Sequence, residues 1–407
     1  MVTPIVDKPP TLNPVKRGRE FLHTPGPTNI PDRILNAMHR PAMDFASPAF
    51  FEMAAKLFED LKGVFGTSSE VFLYTASGHG GWEGAFVNCF SPGDTLLLPE
   101  TGRFARVWGE MAERLGYKLE HVPGDWRTPI DVSAIEDKLS RDKEHRIKGV
   151  LAVQVETATG AWSDIKGIRQ AIDAANHPAL LIVDAIASFA CVPLPMEEWG
   201  VDVTIAASQK GLMCPPGLGF CAVSEKALAA SYESRSQMEY FSWPQRMKRE
   251  SYSRFCGTAP EHLIFGLAEA IKMLEEEGWE NVFARHTRLA TAVRKTVEVW
   301  SEAGALEFNT LPPESRADSL TVVRTPEGMD SEIVRRTARD TFGVAVGGSL
   351  GDLANRVFRI GHMGDLNEPM ILGALGGVEA ALQVCQVPIG KGGVGAAVDY
   401  LASTAHI

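Results

Sequence analysis

The sequence has no basic surplus. Its 51 acidic residues outnumber 40 Lys and Arg, and a formal net charge of −11 leaves nothing to displace counterions from a nucleic-acid backbone. The cluster Arg246-Met-Lys-Arg249 is accordingly expected to be a solvated loop. Paired cysteines are missing too. The six, at 89, 191, 214, 221, 256 and 385, form no C-x-x-C and stand mostly in apolar strand-like contexts, as reduced packing residues rather than disulfides or zinc ligands. No metal site is expected. The longest apolar stretch, Ala179 to Leu194, is broken by Asp184 and Pro193, which suits a buried strand and loop and not a membrane span. Met1 to Glu20 has prolines and charges without an apolar core, so no signal peptide is expected, and the chain does not end in a Ser-Lys-Leu type signal. These absences point to the cytoplasm. No G-x-G-x-x-G follows the first strand with an acid about twenty residues on, which argues against a Rossmann dehydrogenase. Internal repeats and low-complexity stretches are absent as well.

What is present is an ordinary globular composition, 45% apolar and 22% charged over 407 residues, long enough for more than one structural unit. The chain is organised around residues 201–221. Val201 to Ala207 is β-branched and apolar, as in a buried strand. Ser208 and Gln209 end it, and Lys210 follows as a single cation in an apolar neighbourhood. Gly211, Pro215, Pro216, Gly217 and Gly219 prevent a helix from continuing, and a short strand, Phe220 to Val223, leaves the turn. A lysine at a strand end is ordinarily a snorkelling surface residue. Upstream, however, the apolar run from Ala179 ends in Asp184, an acid that is costly there unless paired. Two neighbouring strand ends would then hold an anion and an amine on one rim of a sheet, where open α/β folds bind ligands. Pyridoxal 5′-phosphate uses both groups: its aldehyde condenses with a lysine amine, and its ring nitrogen stays protonated beside a carboxylate.

Five motifs in order carry a family resemblance: Pro25-Gly-Pro-Thr-Asn29, Ser77-Gly-His-Gly-Gly-Trp-Glu83, Val183-Asp-Ala-Ile-Ala-Ser188, Ser208-Gln-Lys-Gly211 and Arg359-Ile-Gly361. From about residue 22 to residue 385 the chain resembles the class V, fold-type I aminotransferases, in particular the alanine/serine–glyoxylate group. The resemblance implies an α/β architecture, a large domain with a mainly parallel seven-stranded sheet and a small α+β C-terminal domain. It implies pyridoxal 5′-phosphate as cofactor, with Lys210 and Asp184 catalytic.

Taken in order, Phe21 to Pro31 is extended and Pro-punctuated, and Gly26 permits a close backbone approach that the resemblance assigns to the substrate side. Val71 to Thr75 is a strand, followed by a Gly-rich turn over 76–83 and a helical run from Gly84 to Phe90. Strand, Gly-rich turn and helix start make an anion cradle, with Ser77, Gly78 and His79 as phosphate contacts. Thr95 to Leu98 is a strand and Arg103 to Leu115 a helix; the resemblance places Phe104 on the pyridine face, where relatives often carry Trp. Ile147 to Val155 is a strand ending at Glu156-Thr157, and by resemblance Thr157 donates to the cofactor's phenolic oxygen. Gln209 joins the cofactor contacts. Tyr252 to Thr258 resembles the segment that crosses to the other subunit and caps its phosphate, so Thr258 implies a homodimer with active sites at the subunit interface. Phe255 stands where many relatives have a Tyr hydroxyl. Arg359, in an otherwise apolar strand, needs a bidentate partner. An internal Asp or Glu would serve; the resemblance assigns the substrate α-carboxylate.

The expected organisation is an N-terminal arm (1–28), a large domain (29–278), a small domain (279–388) and a tail (389–407). The implied activity is transamination of a small amino acid (serine, alanine or aspartate) with glyoxylate or pyruvate. A pyridoxamine–pyruvate aminotransferase is the first alternative, resembled around Ile360-Gly-His-Met-Gly364 and Ile389-Gly-Lys-Gly392, although that activity has no use for a phosphate cradle. A lyase or desulfurase is the second, lacking an evident Cys-bearing mobile loop.

Overall fold

Strand–helix alternation between residues 71 and 210 folds as one sheet covered on both faces. A computed structural model describes residues 18–248 and 251–405; the expected N-terminal arm (1–28) lies outside that range up to residue 17, as does Arg249. After β1 (Phe21–His23) come α1 (Asp32–Met38) and α2 (Pro48–Phe65). The Ser47 hydroxyl accepts from Phe50 N–H at the start of α2, and Gly66 ends it in left-handed backbone at φ 63°. The α2 face carrying Phe50, Leu57, Phe58, Leu61 and Phe65 is buried in the core, at ~1.5–3 kcal/mol per side chain.

The large sheet is built from β2 (Glu70–Ala76), β3 (Thr95–Pro99), β4 (Lys118–Val122), β5 (Ile147–Val153), β6 (Leu180–Asp184), β7 (Val203–Ala207) and β8 (Gly217–Val223). Their spatial order is β2-β8-β7-β6-β5-β3-β4, and β8 alone runs against its neighbours. The connections carry α3 (Gly78–Cys89), α4 (Arg103–Arg114), α5 (Val132–Arg141) and α6 (Ile165–Ala174), and α7 (Glu225–Glu233) follows β8. β4 and α5 were not anticipated, because β4 is an edge strand with only Val122 buried and shows no apolar run.

Helix α3 begins earlier than the sequence suggests, at Gly78 instead of Gly84. The glycines belong to the helix and let it lie close on its neighbours. A Cβ would stand 2.3 Å from Ile186 Cδ1 at Gly78, 2.7 Å from Ile205 Cγ2 at Gly81 and 2.9 Å from Tyr74 Oη at Gly84. The basic cluster also differs from expectation. Arg246 closes α8 (Trp243–Arg246) and is only 1% exposed. Its guanidinium donates to the carbonyls of Tyr240, Leu73 and Arg254 and lies 4.8 Å from the rings of Tyr74 and Tyr240. Composition shows the charge but not the inward-facing carbonyls that solvate it.

Beyond α9 (Ser251–Phe255) and α10 (Glu261–Glu277), the long α11 (Trp279–Ser301) leads into a second core. It holds the antiparallel set β9 (Glu307–Phe308), β10 (Leu320–Arg324) and β12 (Val357–Gly361), in the order β12-β10-β9. Helix α12 (Ser331–Phe342), strand β11 (Val344–Val346) and helix α13 (Glu368–Val384) complete it. β1 pairs in parallel with β11. The last helix, α14 (Gly393–Ser403), inserts Ala397 and Leu401 into the same core. Among the described residues no helix is long and apolar enough to cross a membrane.

Candidate active site

Neighbouring parallel strands deliver the chemistry to one rim of the large sheet. β6 ends at Asp184, Lys210 lies three residues past β7, and Glu156 three residues past β5. On the far side of β8, the end of β2 leads through Ser77 into α3. Because β5, β6 and β7 are adjacent and parallel, their C-terminal ends gather these side chains without any loop having to reach.

Asp184 and Lys210 are both buried. Burial pushes the Asp184 carboxyl up to about 7, and the Glu156 charge adds to the effect. The Ile186 N–H (2.7 Å to Oδ1), the Trp82 indole N–H (3.1 Å to Oδ2) and the Lys210 charge pull the other way. Burial brings the Lys210 amine down to about 8, helped by the Arg359 charge and opposed by Asp184. Nζ donates to the Pro25 carbonyl. Gly26 is in left-handed backbone (φ +87°) directly over the lysine, where a Cβ would stand 2.5 Å from Nζ. Thr28 secures the same turn, its hydroxyl donating to Lys210 O (3.1 Å) and its N–H to Gln209 O (3.2 Å).

Arg359 reaches this rim from β12 and is 8% exposed. Nε donates to Gly348 O at 2.6 Å and Nη1 to Thr157 O at 2.9 Å. Among the described residues no carboxylate lies within ion-pair distance of it. Burial lowers its pKa to about 10, and Glu156 opposes that from a distance, so the guanidinium stays charged at neutral pH. Glu156 is wholly buried against the start of α4. Its Oε2 accepts from Phe104 N–H (3.0 Å) and Ala105 N–H (3.1 Å), and its Oε1 from Ala158 N–H (3.0 Å). A carboxylate on a helix N-terminus is favoured by the dipole, although burial still raises its pKa.

The remaining predicted residues are placed as follows. Ser77 precedes α3 without its hydroxyl capping the helix, and His79 lies tilted against Trp82 at 4.3 Å between ring centroids. Phe104 is half-buried, its ring edge-on to Trp82 at 6.4 Å. Gln209 Oε1 is buried with no partner, and turning that amide by 180° would offer an N–H instead. Thr258, in contrast, is exposed after α9. Phe255 is buried against Phe50 and Phe58 (ring centroids 6.3 and 5.7 Å), so its ring belongs to the core. Three site residues escaped the sequence: Thr28, Trp82 and Glu156. Glu156 carried the same signal as Asp184, an acid at the end of an apolar run.

These residues fit pyridoxal 5′-phosphate. A buried amine of lowered pKa stands near a buried carboxylate, an aromatic ring is close by, and Gln209 holds an unpartnered polar atom. The helix N-terminus at Gly78 and His79 supplies N–H groups and a positive dipole end for a phosphate.

Comparison with known proteins gives concordant results. The family model described as Aminotransferase class-V matches residues 21–352. The chain is 43% identical to the serine–glyoxylate aminotransferase of Methylorubrum extorquens over 94% of this chain and 96% of that one. It is 39% identical to the L-aspartate–glyoxylate aminotransferase of Paracoccus denitrificans, over 93% and 96%. Among solved structures, the pyridoxamine–pyruvate aminotransferase of Mesorhizobium loti superposes with a TM-score of 0.88 at 26% identity, covering 95% of this chain and 98% of that one.

Proposed function

The chain belongs to the class-V aminotransferases, and from that premise we propose that it transfers the amino group of serine, alanine or aspartate to glyoxylate or pyruvate. The observation that carries this reading is the 39–43% identity, over more than nine-tenths of the chain, to enzymes named for serine or aspartate and glyoxylate. Pyridoxal 5′-phosphate is the cofactor. When bound, it supplies an aldehyde for the amino group and a ring that accepts electron density from the substrate α-carbon.

The chain's own residues do the rest. Lys210, whose amine burial brings near neutrality, anchors the cofactor through Nζ. When not holding the cofactor, the same Nζ would be placed to move a proton at the substrate α-carbon, and the Pro25 carbonyl would hold the amine while it carries that proton. The Asp184 carboxylate would face the ring nitrogen and keep it protonated. Arg359, without an internal carboxylate partner, binds the substrate α-carboxylate. Phe104 would offer its ring to the cofactor's, Thr157 a hydroxyl donor to the phenolic oxygen, and Ser77, Gly78, His79 and Gln209 would hold the phosphate. Gly26, whose missing Cβ makes room for the Lys210 side chain, would lie on the substrate side. The working unit is a homodimer in the cytoplasm, in which the exposed Thr258 reaches the neighbour's phosphate. The large domain, 29–278, holds the cofactor, and the small domain, 279–388, brings Arg359.

A second reading, pyridoxamine–pyruvate transamination, is favoured by the TM-score of 0.88. The N–H groups and positive dipole end at the α3 N-terminus support a bound phosphate instead, and the Gln209 amide, turned so that its N–H takes the place of the unpartnered Oε1, adds a donor. Incubation with a panel of amino donors against glyoxylate and pyruvate, with pyridoxamine as one donor, tests both. Turnover of serine, alanine or aspartate supports the first reading; turnover of pyridoxamine alone replaces it with the second.

A further inference from the structure

Asp184 is gripped at both oxygens. The Ile186 N–H that reaches Oδ1 comes with the turn after β6. The donor to Oδ2 is not local: Trp82 lies on α3, and its indole N–H reaches across to the strand end. The indole is wholly buried and held on several sides. Trp108 stacks on it (ring centroids 5.7 Å, 22° between planes), His79 tilts against it at 4.3 Å, and the Phe104 ring meets it edge-on. An indole nitrogen has one N–H and accepts nothing, so in this fixed ring it has one use, to donate to the oxygen it faces. Packing alone would explain a large apolar side chain here but not a donor aimed at a buried carboxylate. The other charged groups facing Asp184 are Glu156, which opposes its ionisation, and Lys210, which favours it.

We propose that Trp82 is a positioning residue for the ring-nitrogen carboxylate: its indole N–H fixes the orientation of Asp184 Oδ2 and stabilises its charge before the cofactor binds. The proposal rests on the reading of Asp184 as partner of the cofactor's ring nitrogen. Trp82 would then link the start of α3, proposed to hold the phosphate, to the carboxylate proposed for the ring nitrogen.

The test uses two variants. Trp82→Phe removes the donor and part of the volume. Site-specific replacement of Trp82 by 3-benzothienylalanine keeps the shape and exchanges only the N–H for sulfur, so it decides the matter if Trp82→Phe does not fold. In the apoenzyme, the Asp184 carboxyl is titrated by 13C NMR of aspartate-labelled protein, with Asp184→Asn as assignment control. Its midpoint should rise by about one pH unit in either variant. Pyridoxal 5′-phosphate should bind roughly tenfold more weakly, and kcat should fall roughly tenfold with KM for the amino acid unchanged. An unmoved midpoint with unchanged cofactor affinity in the shape-preserving variant would overturn the proposal and return Trp82 to packing. Wild-type turnover by Asp184→Asn would instead remove the reading of Asp184 itself, whatever the Trp82 variants show.

Discussion

Asp184 and Lys210 stand at the ends of adjacent parallel strands, and burial moves them toward each other on the pH scale, the carboxyl up to about 7 and the amine down to about 8. Each partly offsets the other's shift. Burial thus leaves an amine that can shed its proton near neutrality, as a base at carbon must, beside a carboxyl whose charge is costly until a cation faces it.

Lys210→Ala should abolish the visible absorption of the bound cofactor and nearly all turnover. A variant that stays yellow through a borohydride-reducible adduct on another lysine would show that Lys210 is not the anchor.

Asp184→Asn should cost several orders of magnitude in kcat. It should also change the pH dependence of apoenzyme stability, with a sign that can be worked out. The folded carboxyl titrates above its model value of 3.8, so between about pH 4 and 7 the folded chain binds more protons than the unfolded one. Wild-type stability therefore falls as pH rises through that window, and the Asn variant lacks this slope. The stability difference between the two should shift in favour of the variant by about 2–4 kcal/mol from pH 4 to pH 8. Parallel stability curves, measured by urea unfolding across pH, would contradict the burial account.

Arg359→Lys keeps a charge but loses the fork that Gly348 and Thr157 hold in place. KM for both the amino and the oxo acid should rise, at a cost of roughly 2–5 kcal/mol. If steady-state kinetics give unchanged KM values for both substrates, the residue is structural.

Thr258 is exposed, and in the proposed homodimer its role would depend on a second copy. Dissociating the dimer by dilution or by an interface mutation should lower cofactor affinity and activity in parallel. Thr258→Ala should weaken cofactor binding while leaving the lysine linkage intact. A fully active monomer saturated with cofactor, identified by sedimentation and absorbance, would sink this reading.

Much of the fold was legible because it rests on local pattern. The buried strands ending at Asp184 and near Lys210 announce themselves as apolar β-branched runs, and the amphipathic spacing of α2 is visible directly. The apolar residues around Arg359 likewise show the strand they form, β12. The edge strand β4 was not legible, since a strand with one buried residue has no such pattern. The glycines of α3 looked like a turn because propensity disfavours glycine in helices; close packing on Tyr74, Ile186 and Ile205 overrides that preference.

By itself the sequence determined the strand ends, and with them the lysine, the aspartate and the arginine, because each is a charge set in an apolar run that burial must follow. Only the tertiary structure decided which groups face them. Strand order puts Glu156 beside Asp184 and in reach of Arg359's charge, the approach of α3 turns the Trp82 indole onto a carboxylate 102 positions away, and inward carbonyls make Arg246 a core residue. Hydrophobic burial is written position by position. Hydrogen-bond partners and electrostatic neighbours depend on distances across the fold, which no single stretch of chain contains.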